Sequence, residues 1–140
     1  MVEHVLLERS GILPGFPTNT LQLVQVIRSG IPASSVDSVC SVLHLSQAEL
    51  ASLLDIPLRT LSRRKREGAL NSEESAKIIR LARVIERAGE VFESRDLAID
   101  WLNSKNAALS GLTPLSLMDT DVGTESVLDT LGRIEHGVFA

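Results

Sequence analysis

Apolar positions recur at spacings of three and four along nearly the whole chain, in blocks separated by Gly, Pro and short polar residues. That spacing is the signature of amphipathic helices. A first stripe of Leu21, Val24 and Ile27 begins near Thr20 and stops at Gly30. A second helix is expected after Pro32, capped by Ser34 or Ser35, with Val36, Val39, Cys40 and Leu43 inward. Ser46 followed by Glu49 forms a capping box, which starts a third helix carrying Leu50, Leu53 and Leu54 on one side. Asp55-Ile56-Pro57 then supplies a turn, because Pro57 biases Ile56 out of the helical region and suits the first turn of a new helix.

A long helix is expected from Asn71, with Ile78, Leu81, Ala82, Ile85 and Ala88 as its apolar stripe. Another covers about Arg95 to Lys105, with Leu97, Ala98, Trp101 and Leu102 inward. A short helix after Pro114 would bury Leu115 and Met118. A last one from about Gly123 to His136 would bury Val127, Leu131 and Ile134, with Gly137 at its C-terminal cap. No strand-like alternation persists, so the expected fold class is all-α. Residues 1–19, broken by LPGFP, read as an N-terminal arm whose Leu6, Leu7, Ile12, Leu13 and Phe16 can dock on an apolar surface. The expected division is the arm at 1–19, a helix-turn-helix domain at 20–70 and a second domain at 71–140.

The segment SQAELASLLDIPLRTLSRRKR, Ser46 to Arg66, carries the most chemistry. Ala51 falls where two helices crossing steeply leave room only for a small side chain. Ile56 and Leu61 can pack back on the first helix of the pair. Arg59, Ser62, Arg63 and Arg66 then share the opposite face at i, i+3, i+4 and i+7. Guanidinium groups on a helix narrow enough for the major groove can bind guanine edges or phosphates bidentately. These four residues are therefore the expected DNA-binding face. Asp55 stands where such turns usually carry Gly, and Asp tolerates the left-handed conformation better than most residues.

Charge sharpens this picture. The net charge is −4. Residues 1–55 carry two basic and five acidic groups, residues 56–95 ten and six, and residues 96–140 two and seven. A basic middle between acidic flanks suits a local DNA-binding face rather than a general nucleic-acid coat. Lys77, Arg80, Arg83 and Arg87 form a second basic run, read mainly as a solvated helix face with ion pairs such as Glu73 to Lys77.

Enzyme constellations are missing from the sequence. His4, His44 and His136 are scattered and the single Cys40 has no partner, so neither a zinc site nor an intramolecular disulfide is expected. There is no phosphate-binding Gly-rich loop and no GxSxG elbow. Asp119, Asp121, Glu125 and Asp129 lack the spacing of a calcium loop and read as a cap, dipole partners and an acidic partner-binding face. No catalytic residue, metal or cofactor is expected. The start MVEHVLLERSG lacks the regions of a signal peptide and no apolar run reaches membrane-spanning length, so the expected location is the cytoplasm, with no membrane partner.

The segment NAALSGLTPLSLMDTDVGTESVLDTLGRIEHGVFA resembles the C-terminal toxin-binding domain of Xre-type antitoxins, which are paired with RES-domain toxins. The resemblance rests on Asn106, Leu109, Gly111, Pro114, Leu115, Asp119, Thr120, Gly123, Val127, Leu131, Arg133, Ile134, Gly137 and Val138. Upstream, Arg63-Arg64-Lys65, Gly68, Leu70, Glu74, Ser75 and Arg80 resemble the family's transition out of its helix-turn-helix, and together these cover roughly residues 35–140. Ala107 stands where Arg is frequent, and Ser110 where Gly is frequent.

The resemblance implies a bacterial type II antitoxin. Its helix-turn-helix half would be packed with a small helical toxin-binding domain at 71–140. It would neutralise a cognate RES-domain toxin that depletes NAD by obstructing the toxin's active-site cleft. It would also repress its own operon by binding operator DNA, as a homodimer within a larger hetero-oligomer. Arg133, Glu135, His136, Gly137, Val138 and Phe139 form a compact end that can enter such a cleft, with Phe139 as an aromatic anchor. The competing reading is a one-component transcriptional repressor whose C-terminal half senses a small molecule or dimerises.

Overall fold

The computed structural model describes residues 19–137. These form seven α-helices: α1 (Thr20–Ser29), α2 (Ser34–Leu43), α3 (Gln47–Leu54), α4 (Leu58–Glu67), α5 (Ser72–Phe92), α6 (Arg95–Leu102) and α7 (Asp121–Glu135). Two short 3₁₀ turns, Ala107–Leu109 and Leu115–Leu117, lie between α6 and α7. No strand occurs among the described residues, and the fold is all-α as the periodicity requires. None of the described helices is long and apolar enough to cross a membrane.

The chain divides into two compact units within α5, between Ala82 and Arg83. The sequence expectation put the boundary at residues 70 and 71, but the first turns of α5 belong to the first unit. Ser75 is fully buried there, and its Oγ accepts the N–H of Ile31 at 2.9 Å.

In the first unit, α2 packs on α3 and α3 on α4. Ile31, Val36, Val39, Leu50, Leu54, Leu61 and Ile78 are buried in its core. The loops after α1 and α4 are laced together: Leu70 N–H donates to Ile31 O at 2.9 Å, and Ala33 N–H to Gly68 O at 3.0 Å. Gly30 makes this approach feasible. Its φ is +90°, and a Cβ there would lie 2.2 Å from the Leu70 carbonyl oxygen.

In the second unit, α7 packs on both 3₁₀ turns. Ala98, Ile99, Leu102, Leu109, Leu115, Met118, Val127 and Leu131 are buried. Trp101 lies against Phe92, with ring centroids 5.7 Å apart. Asn106 begins the first 3₁₀ turn: its Oδ1 accepts Ala108 N–H at 2.8 Å, and its own N–H donates to Leu112 O at 3.0 Å.

Several local expectations differ from the structure. In α1 it is Leu23 that is buried, while Leu21 is 75% exposed, so the inward stripe is turned away from Leu21. Asn19 caps this helix, accepting the N–H groups of Leu21 and Gln22 at 3.0 and 3.2 Å. The N-cap of α2 is Ala33, without a side-chain bond, and both Ser34 and Ser35 lie inside the helix. Cys40 and Ile134 are half-buried rather than fully inward. In α6 the buried partner of Ala98 and Leu102 is Ile99, and Leu97 is 56% exposed. The last helix starts two residues earlier than expected, at Asp121, because Thr120 caps it. The expected arm lies outside the described residues, apart from Asn19.

Candidate functional site

The helix pair α3–α4 is built by local chemistry. Ser46 Oγ accepts Glu49 N–H at 3.0 Å, and Glu49 Oε1 accepts Ser46 N–H at 2.9 Å, completing the capping box. The Ser46 backbone N–H, followed by its hydroxyl, holds the Glu49 carboxyl below its usual pKa. Asp55 takes the left-handed conformation that the turn demands, with φ 54° and ψ 48°. Its N–H and that of Ile56 return to the last turn of α3, Ile56 bonding to Ala51 O at 2.9 Å. Lys77 also closes this end of α3, donating from Nζ to Leu54 O at 2.9 Å. Ala51, Ile56 and Leu61 are buried, which fixes the crossing of the two helices.

The outward face of α4 carries Arg59, Arg63 and Arg66, all exposed. Ser62 is half-buried, and its Oγ accepts a hydrogen bond from Gln47 Nε2 at 3.3 Å. Gln47, the first residue of α3, was not singled out by sequence reasoning. Its Oε1 also accepts from Lys65 Nζ at 3.1 Å, and Lys65 reaches Asp37 of α2 at 3.0 Å. The only sequence cue for Gln47 was its place directly after a helix cap.

Arg64 points elsewhere. Its Nε donates to Glu74 Oε1 at 2.8 Å and its Nη1 to Glu67 at 3.1 Å. Glu74 is buried, accepts Asn71 N–H at 2.9 Å, and gives its own N–H to Asn71 Oδ1 at 2.8 Å. It thus closes the cap of α5 and anchors the end of α4 together. Burial raises the Glu74 pKa, but the Arg64 guanidinium and the Asn71 N–H outweigh it and hold the carboxyl below its ordinary range.

In the second unit, Thr120 Oγ1 accepts Gly123 N–H at 2.9 Å at the start of α7. Gly123 lies so close to the preceding turn that a Cβ would stand 2.0 Å from Leu117 O. Thr124, Val127 and Leu131 face inward. The opposite stripe, Val122, Glu125, Asp129, Arg133 and His136, is exposed.

The expected compact end is placed in parts. Arg133 and His136 share the exposed stripe, with His136 at the C-cap. Glu135 turns away to Arg87 of α5, whose Nη2 and Nη1 donate to its two carboxylate oxygens at 2.6 and 3.0 Å. Arg87 holds the Glu135 carboxyl below its usual pKa. Gly137 follows with φ +71°, the left-handed position beyond a helix end. Val138 and Phe139 lie outside the described residues. Of the second basic run, Lys77 and Arg87 are therefore engaged in the fold.

A family model described as the antitoxin Xre-like helix-turn-helix domain matches residues 22–83. A second, the antitoxin Xre/MbcA/ParS C-terminal toxin-binding domain, matches residues 87–137. An antitoxin Xre of Yersinia enterocolitica is 35% identical over 120 residues, covering 84% of this chain and 81% of that relative. The chain belongs to the Xre antitoxin family. Among other relatives, a Prs ADP-ribosylating antitoxin of Sphingobium is 28% identical over 127 residues, covering 84% of this chain and 80% of its own. The MbcT–MbcA toxin–antitoxin complex of M. tuberculosis contains a similar fold, with 28% identity and a TM-score of 0.57. That match covers 77% of this chain and 96% of the compared chain. The two domain matches adjoin the division between the compact units: the Xre-like helix-turn-helix lies at α1–α5, and the toxin-binding domain takes in the end of α5, α6 and α7.

Proposed function

We propose that this Xre-family protein neutralises a cognate RES-domain toxin that depletes NAD, by lying across the toxin's active-site cleft, and represses its own operon through α4. The observation that carries the reading is the exposed face of α7, which lies inside the toxin-binding domain and presents Glu125 and Asp129 beside Val122 and Leu128. A cleft that holds an anionic dinucleotide must present cations, and an acidic face complements it. Inhibition then needs binding alone, with no catalysis by the antitoxin.

Arg133, His136, Gly137, Val138 and Phe139 are the residues assigned to the toxin cleft. Glu135 positions that end through Arg87. On the other unit, Arg59, Arg63 and Arg66 face the operator, and Ser62 is held at the groove by Gln47. Two copies, each offering one α4, suit a palindromic operator.

The Sphingobium relative's name favours one variation, in which the toxin transfers ADP-ribose to a protein. That reaction also spends NAD, so the same occlusion would stop it. The deciding experiment measures NAD consumption by the product of the neighbouring gene, with and without an equimolar amount of this protein. Arrested consumption supports neutralisation, and label retained on protein rather than released separates transfer from hydrolysis. Consumption that continues despite addition refutes neutralisation of that partner.

A further inference from the structure

Gly132 sits three turns into α7 and is flanked by Leu128 and Asp129 before it and His136 after it. Glycine in a helix interior is destabilising relative to alanine, so its presence there calls for a reason. At Gly123 the reason is internal, since Leu117 O occupies the space a Cβ would fill. At Gly132 the described residues offer no such reason: a Cβ there would meet none of their heavy atoms within 4 Å, and its helical φ does not call for glycine.

The missing side chain leaves a notch on the solvent side. Leu128, 38% exposed, lies one turn before it and His136 one turn after. The carboxylates of Glu125 and Asp129 border the same side. A helix surface that gives up a side chain where none of the described residues approaches is shaped for another molecule's approach.

We infer that Gly132 marks the point of closest approach between α7 and the toxin, with toxin backbone seated in the notch, Leu128 buried beside it and basic toxin groups against Glu125 and Asp129. The occupant is the toxin because the notch lies within the matched toxin-binding domain and its border is acidic. The inference rests on the neutralisation reading and names the point on that acidic face of α7 where the toxin comes closest.

The test uses the full chain and its cognate toxin, with Gly132→Ala and Gly132→Gln, reading both thermal unfolding and toxin affinity by calorimetry. Gly132→Ala should melt higher than the parent chain by about 2–5 °C, since it replaces a helix-interior glycine in open space. Gly132→Gln should melt no lower than the parent. Toxin affinity should nevertheless fall by about tenfold for Ala and by about a hundredfold for Gln, the range that overpacking a tight contact produces. Stability held or raised while binding falls would identify the notch as a contact. Parent-like affinity of the Gln variant would overturn the inference and leave neutralisation standing. Failure of the parent chain itself to bind the toxin would overturn both.

Discussion

Gly123→Ala tests how α7 is seated. Helix propensity alone favours the change, because alanine in a helix is worth about 0.5–1 kcal/mol over glycine. The structure reverses the sign. A Cβ at position 123 would lie 2.0 Å from Leu117 O, 2.9 Å from Leu117 C and 2.9 Å from Thr120 Oγ1, whereas ordinary contact begins at 3.4 Å. Leu117 closes a 3₁₀ turn that packs on α7, and Thr120 is the helix cap, so relief by more than 1 Å must displace one of them. Overpacking of this kind costs about 1–3 kcal/mol, and loss of a Thr cap about 0.5–2 kcal/mol. After the propensity gain, the expected net loss is about 2 kcal/mol. The assay is urea unfolding followed by the fluorescence of Trp101, the single tryptophan, which lies in the same unit. Gly132→Ala, on the same helix but in open space, is the internal control and should gain about 0.5–1 kcal/mol. A Gly123→Ala variant as stable as the parent would refute the close approach of Leu117.

Alanine at Arg59 and Arg63 should weaken operator binding by about tenfold or more each and leave toxin inhibition intact, as read by mobility shift and NAD assays; equal loss of both activities would count against the assignment. Glu74→Gln should lower the urea midpoint at pH 7 and flatten the acid limb. The folded pKa of Glu74 is depressed, so its contribution is complete above the unfolded value of about 4.3 and is lost as pH falls through the folded value beneath it. Parent and variant curves running parallel from pH 7 to pH 3 would show that the buried carboxylate has no such role. Arg87→Met and Glu135→Gln should lower toxin affinity by similar factors, with the double variant no worse than either. A much larger effect of Glu135→Gln would mean that the carboxylate meets the toxin directly.

The helix-turn-helix was legible because its determinants are local. Ser46 with Glu49, Asp55 before Ile56-Pro57, and the i, i+3, i+4 pattern of α4 each act within a turn or two of chain. Residues whose roles depend on distant partners were not. Leu21 and Leu23 both read as apolar, and only tertiary packing turns Leu23 inward. Leu97 and Ile99 pose the same ambiguity in α6. Glu135 reads as part of a compact end that can enter a cleft, but its ion pair joins residues 48 positions apart, which no periodicity encodes. Gln47 and Glu74 are single polar residues in sequence, and their networks exist only once α2, α4 and α5 are assembled.

The ion pairs made by the cations of α4 have a consequence for how DNA affinity depends on salt. The helix carries Arg59, Arg63, Arg64, Lys65 and Arg66, but Arg64 is spent on Glu74 and Glu67, and Lys65 on Asp37, whereas Arg63 meets Glu67 only at 4.0 Å and stays exposed. Each phosphate neutralised releases condensed counterions, and the slope of log affinity against log salt is about −0.9 per contact. Five contacting cations per copy would give about −4.5, and the three left facing outward about −2.7. A salt titration of operator binding therefore counts how many of the five positive charges the fold has kept for itself.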